Sequence, residues 1–264
     1  EPDWRLRVGR NKYPALADRG SAANVSDGIY DRMDGIGSHE VVIETPLHDR
    51  QLEDMPVPDI ADILRTFILR ANEIKKDPRV KYIMIFKNHG PGAGASLAHP
   101  HSQLIAMPMV PIRVVQEIDG ARAYRAGNGS CVFCDILTQE AGFGKRVVGE
   151  NDNFLAITPY ASRFSFETWI LPKKHESHFE RMAPGPVTDL AAIVKGTIKK
   201  LHTSLEGTAY NLIVHSMPAQ ESASEYYHWH IEIIPKLNHA AGFEWGTGFY
   251  INSVSPEDAA KIMN

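Results

Sequence analysis

Apolar and charged residues alternate from Trp4 to Val8 (WRLRV), which is the period of a strand. Residues 40–45 (EVVIET) predict a second strand, rich in β-branched side chains. The period then changes. Ile60, Ile63, Leu64, Phe67, Ile68, Ala71 and Ile74 recur at helical spacing, with Pro58 suited to the first turn and Asp77-Pro78 ending the run. Residues 80–86 (VKYIMIF) read as a buried strand. It feeds residues 88–96 (NHGPGAGAS), too rich in glycine and alanine for regular structure. A strand is predicted at 103–107 and a short helical stretch within 108–130.

The second half repeats this plan. Strands are predicted at 153–158 and 166–171. A helix follows, with Val187, Leu190, Ala191, Val194, Ile198 and Leu201 on one face. Strands at 209–214 and 227–234 and a short helix from Pro256 to Met263 complete the chain. Landmarks repeat as well. Thr45-Pro46-Leu47-His48 precedes a helix, a strand and His99-Pro100-His101; Leu171-Pro172-Lys173-Lys174-His175 precedes a helix, a strand and His228-Trp229-His230. His48 and His99 are 51 residues apart, His175 and His228 are 53 apart. This matching points to duplication of a unit of roughly 110–130 residues. The expected class is α+β, with two tandem units, each an antiparallel sheet with packed helices. The boundary is placed at the stretch that holds Gly127-Asn128-Gly129-Ser130 and divides residues 1–125 from 126–264.

Composition narrows the chemistry. No run approaches the roughly 18 apolar residues of a membrane span, so no membrane partner is expected. The net charge of −4 lacks the basic excess of a nucleic-acid binder, so no nucleic-acid partner is expected either. Two cysteines, Cys131 and Cys134, are too few for a disulfide scaffold and suit a metal or redox pair. No leader precedes Glu1 and no initiator Met is present, so the start looks trimmed and the expected compartment is the cytoplasm.

Histidine stands out, with 12 copies. On a strand, residues 99, 101 and 103 share one face, so His99, His101 and Gln103 converge. A lone strand histidine is more often structural. Here the glycines just upstream let backbone N–H groups approach an anion, and the pair of features reads as a phosphate site with a histidine aimed into it. His178 and His202 are expected at the surface, and Tyr226, Tyr227 and Trp229 in packing.

The segment NHGPGAGASLAHPHSQ, with WRLRVGRNKYPAL and EVVIETPLHD upstream and GFEWGTGFYINSVSPEDAA in the tail, resembles the galactose-1-phosphate uridylyltransferase family of the histidine-triad superfamily. The resemblance implies that His101 is a nucleophile toward the α-phosphorus of a nucleotide sugar. A covalent nucleotidyl-histidine forms, hexose 1-phosphate leaves, and a second phosphate-bearing acceptor takes the nucleotidyl group. Gln103 stands where histidine-triad hydrolases carry another histidine. An amide donates to a phosphoryl oxygen but relays no proton to water, which favours transfer over hydrolysis. By the same resemblance Asn88, Gly94 and Ser96 match phosphate contacts and Asn11 lies near the nucleoside. The tail with Thr247 and Gly248 loops over the sugar-phosphate site, partly that of a neighbouring subunit, which implies a homodimer.

Metal is implied too. His48 and His99 match two ligands of the family's structural zinc, whose other two are a C-x-x-C pair expected upstream of Asn11; this sequence has none. In the second half Cys131, Cys134, His175 and His228 form a closed tetrahedral Zn²⁺ set. The family offers a rival set, Glu117, His215, His228 and His230; thiolates should win the zinc. A redox C-x-x-C lacks a thioredoxin-like context. The leading expectation is uridylyl exchange between UDP-glucose and a hexose 1-phosphate. Ser102 stands where the best-known uridylyltransferases have Gly, and the C-x-x-C of the second half and the GTGFYIN tail look like the adenylyl-transferring branch that includes ADP-glucose phosphorylase, with phosphate as acceptor. A non-catalytic zinc and nucleotide-binding module is the third reading.

Overall fold

The computed structural model describes residues 4–238 and 240–264. In chain order its elements are β1 (Arg7–Arg10), β2 (Val25–Asp27), β3 (Tyr30–Arg32), β4 (Ser38–Ile43), α1 (Val57–Ile74), β5 (Tyr82–His89), β6 (His101–Met107), α2 (Ile112–Asn128), α3 (Val132–Phe143), β7 (Val147–Glu150), β8 (Phe154–Ile157), β9 (Thr168–Pro172), α4 (Val187–Ser204), β10 (Tyr210–His215), β11 (His230–Pro235), α5 (Gly242–Thr247) and α6 (Pro256–Met263). No helix of the described residues is long and apolar enough to cross a membrane.

Nine strands form one antiparallel sheet in the order β1-β4-β6-β5-β10-β11-β9-β8-β7, and β2 and β3 form a separate hairpin. The class is α+β. The two halves meet at the centre, where β5 pairs with β10 and Asn88 lies opposite Asn211. Outward from this seam, β6-β4-β1 runs one way and β11-β9-β8 the other. Helix α1 joins β4 to β5 and α4 joins β9 to β10, so both halves use the same frame. Joining β5 to β10 leaves neither with an unpaired edge. The expected boundary at 125/126 falls near the end of α2.

One sheet face is apolar. Val42, Leu104, Ala106, Ile83, Ile85, Leu212, Val214, Ile231, Ile233 and Ile170 pack against Ile60, Ile63, Leu64 and Phe67 of α1 and Leu190, Val194 and Ile198 of α4. Period-2 strands and period-3.6 helices bury one face each, and each fully buried branched or aromatic side chain contributes about 1.5–3 kcal/mol. The opposite face carries His39, His101, Gln103, Asn88, Asn211, His215, His230 and Glu232 at alternate positions. Over the second half this face is roofed. Val114, Ile118 and Ala121 of α2 and Phe133 and Leu137 of α3 pack with Tyr82, Leu155, Ile157, Leu171 and Tyr227.

Several elements differ from the sequence reading. Strand β6 begins at His101 rather than 103. Helix α2 is a full 17 residues, although only Val114, Ile118 and Ala121 are buried, too few to mark its period. Helix α3 starts inside the C-x-x-C. The hairpin β2–β3 is exposed at every residue, so no apolar pattern announces it. His178 is fully buried, not at the surface, with its Nδ1 2.9 Å from Ser177 Oγ. His202 is half-buried against Glu53.

Candidate functional site

The glycine-rich turn after β5 shapes a cavity of about 360 Å³, lined among others by Gln51, Asn88, Ser96, His99 and His101. Gly90 adopts φ +78°, and a Cβ there would sit 2.9 Å from the Ala209 side chain, so only glycine lets the turn close on β10. Gly94 ends the turn at φ +83°. Asn211 Nδ2 ties the turn down, donating to Asn88 Oδ1 at 2.7 Å and to the Ala93 carbonyl at 2.9 Å. With Oδ1 occupied, the Asn88 NH₂ group is the end left to meet a ligand. Gln51 and Asn211 escaped the sequence reading because each lies far along the chain from the motif.

His101 opens β6. Its Nδ1–H donates to the His99 carbonyl at 2.8 Å. A carbonyl only accepts, so Nδ1 carries a proton, and in the neutral ring Nε2 carries the lone pair. Nε2 meets no partner among the described residues. Gln103 follows two residues later on the same face, where Asn11 and His39 meet it. The structure therefore brings Asn11, Asn88, Ser96, His101 and Gln103 to one side of the sheet. Thr247 ends α5 and Gly248 caps it. The Thr247 hydroxyl donates to the Phe243 carbonyl at 2.6 Å, and neither residue lines the cavity.

Beneath His101, on the apolar face, lies a buried ion pair that no sequence signal revealed. Lys87 Nζ is 2.8 Å from Glu44 Oε2 and donates to the His101 carbonyl at 3.3 Å. The Ser102 hydroxyl donates to the other Glu44 oxygen. All three residues are 2% exposed.

In the second half, ligand atoms of Cys131, Cys134, His175 and His228 all lie within 4.8 Å of one another. His175 Nε2–H donates to the Ser224 carbonyl and His228 Nε2–H to the Pro172 carbonyl, both at 2.8 Å. Both Nδ1 atoms are thereby left bare and turned toward Cys134, at 3.3 and 3.7 Å. Burial, with His175 alongside, lowers the pKa of His228 to about 3, so its ring is neutral and able to ligate. Burial and the neighbouring Cys131 push the Cys134 thiol up to about 12 when no cation faces it. In the first half His48 Nδ1 and His99 Nδ1 face each other at 3.2 Å, and His99 Nε2–H donates to the Thr45 carbonyl at 2.7 Å. Among the described residues no third His, Cys, Asp or Glu ligand atom completes that pair.

The rival set divides. Glu117, His215 and His230 come together, but His228 does not join them. His230 repeats the His101 pattern, its Nδ1 3.3 Å from the His228 carbonyl, and Glu232 follows it as Gln103 follows His101. Yet His230 is 2% exposed, stacked on His215 at 4.5 Å and against Trp169 at 4.9 Å. Burial opposes charge on His215, but hydrogen bonds to Glu117 and Glu232 carry its pKa up to about 10. The second half thus closes over an internal ion-pair cluster where the first half leaves a cavity.

A family profile described as "Galactose-1-phosphate uridyl transferase, N-terminal domain" matches residues 5–111, and a domain of unknown function matches residues 63–264. The chain is 39% identical to an ADP-glucose phosphorylase of Arabidopsis thaliana over 100% of this chain and 75% of that protein. It is 32% identical to a galactose-1-phosphate uridylyltransferase of Thermotoga maritima over 99% and 84%. An A. thaliana ADP-glucose phosphorylase solved with bound ADP-glucose superposes with a TM-score of 0.90 at 38% identity, covering 100% of this chain and 82% of that one.

Proposed function

We propose, from the premise that the chain belongs to the galactose-1-phosphate uridylyltransferase family, that it exchanges a nucleotidyl group between a nucleoside diphosphate hexose and a hexose 1-phosphate through His101. The observation that carries this is the bond from His101 Nδ1 to the His99 carbonyl, which leaves Nε2 unpartnered among the described residues on a ring that lines the cavity. Nε2 attacks the α-phosphorus, the bond from that phosphorus to the bridging oxygen breaks, and hexose 1-phosphate departs with the electron pair. A phosphate oxygen of the acceptor then attacks the same phosphorus and His101 leaves as a neutral ring. Asn88 and Ser96 meet the phosphates. Gln103 donates to a phosphoryl oxygen and supplies no proton to water. Asn11 stands beside Gln103, toward the nucleoside.

Uridylyl transfer from UDP-glucose is the first reading. The 39% identity to an ADP-glucose phosphorylase favours a second, adenylyl transfer from ADP-glucose to phosphate. Protein incubated with α-phosphate-labelled UDP-glucose or ADP-glucose, without acceptor, is expected to hold acid-labile label from one of them. Discharge of uridylyl label by galactose 1-phosphate supports the first reading. Discharge of adenylyl label by phosphate supports the second. No label from either leaves a binding module.

The four ligand atoms around Cys134 fit Zn²⁺ in number, kind and orientation, and the two carbonyls behind the histidines hold the rings in the ligating tautomer. With four protein ligands such an ion cross-links α3 to β9 and β11 and leaves no open position for catalysis. Elemental analysis is expected to find zinc bound, and Cys134→Ser to lose it and melt earlier. Unchanged zinc content in that variant rejects the site. The homodimer is supported by the exposed apolar tail, with Trp245, Phe249 and Ile251 each at least 68% exposed.

A further inference from the structure

The carboxamide of Gln103 has two ends, and only the NH₂ end can donate to a phosphoryl oxygen. Which end faces a ligand is decided from behind. His39, on β4, is 8% exposed and shares the sheet face of Gln103. The backbone N–H of Ala15 donates to His39 Nδ1 at 3.1 Å. A backbone amide nitrogen only donates, so Nδ1 is the bare nitrogen and the proton of the neutral ring sits on Nε2. That Nε2–H lies 2.8 Å from Gln103 Oε1. Asn11 acts in the same sense. Its Oδ1 accepts from the Tyr13 N–H at 2.9 Å, which turns its Nδ2 inward, 3.5 Å from Gln103 Oε1. The 3.1 Å approach of Asn11 Nδ2 to His39 Nε2 is between two donors aimed at one acceptor oxygen. Held from both sides, Oε1 faces the protein. The NH₂ group of Gln103 has no partner among the described residues.

We propose that His39 is a positioning residue for nucleotidyl transfer: its Nε2–H tautomer, set by the Ala15 backbone, locks the Gln103 amide with its donor end toward the phosphoryl group. The proposal rests on the reading of Gln103 as a phosphoryl donor. It explains why a buried histidine with no ligand or acid–base task stands behind the site. A flipped amide would aim a lone pair at an anionic oxygen, and the transition state would lose a preorganised donor.

Two substitutions separate orientation from packing. His39→Glu places an acceptor opposite Gln103, which draws its NH₂ inward and turns its oxygen to the phosphate. His39→Gln keeps a donor at the place of Nε2. In single-turnover labelling by the nucleotide sugar, His39→Glu is expected to slow nucleotidylation about 100-fold with little change in KM, the loss typical of one misdirected donor. His39→Gln is expected to recover most of that rate. Nitrogen NMR of histidine-labelled wild-type protein should show a neutral Nε2–H ring among the signals that His39→Gln removes. Equal rates in the two variants, a rise in KM alone, or an Nδ1–H or doubly protonated His39 overturns the proposal. Absence of label on the wild-type protein overturns the transferase reading instead, while the NMR result still judges the tautomer.

Discussion

His101→Ala is expected to lower nucleotidyl transfer by about 10⁴-fold or more, the scale on which loss of a covalent nucleophile is felt. The size follows from the geometry. His101 lines the cavity with Nδ1 bonded to a carbonyl and Nε2 unpartnered among the described residues, whereas His99 is bonded to the Thr45 carbonyl through Nε2 and its Nδ1 is faced by His48. In the proposed mechanism Asn88, Ser96 and Gln103 meet the phosphates; the two carboxamides are not nucleophiles, and the Ser96 hydroxyl meets no base among the described residues. His230, the nearest counterpart in the fold, is sealed under α2 and α3 between His215 and Trp169, so it cannot substitute. The variant should still bind nucleotide sugar and melt close to wild type, because among the described residues the lost ring makes a single hydrogen bond to protein. Acid-labile label surviving on His101→Ala protein removes His101 from its role.

Lys87→Met is expected to be the most damaging single change to stability. Its ammonium and the Glu44 carboxylate are buried, and the two residues line one small void together with Ile60 and Leu64 of α1, Val194 of α4 and Leu212 of β10. Removing the cation leaves an unpaired carboxylate in apolar surroundings, which costs about 3–5 kcal/mol. For a chain of this size the melting temperature should fall roughly 6–20 °C. Combining Lys87→Met with Glu44→Gln removes the stranded charge, still gives the Ser102 hydroxyl an acceptor, and should regain most of the loss. Both variants lose the Lys87 bond to the His101 carbonyl, so transfer is expected to be slower than wild type in both, while only the double variant regains stability. Scanning calorimetry decides the point: a single variant that melts with wild type, or a double variant that melts no higher than the single, is incompatible with a buried, mutually dependent pair.

Much of this architecture is written locally. The run from Ile60 to Ile74 specifies its own helix and buried stripe, and 187–204 does the same, because a 3.6-residue period needs no knowledge of the partner surface. Alternation alone sets His101 and Gln103 on one face, and the order Cys131, Cys134, His175, His228 picks out four side chains whose donor atoms converge. The repeated strand–helix–strand frame was legible for the same reason.

Tertiary structure decided the rest. Only the pairing of β5 with β10 merged two units into one sheet. Only the packing of α2 and α3, weakly patterned in sequence, closed one half and left the other open. His228 stood in two candidate metal sets, and the carbonyl of Pro172 turned its free nitrogen to the thiols. His39 and Gln103 are 64 residues apart, and Glu44 and Lys87 are 43 apart; nothing in local spacing couples them. Periodicity is a property of a single segment and tells which way a side chain points. Which group it meets depends on strand register and on what covers the face, and those are settled only when distant segments compete for the same buried surface.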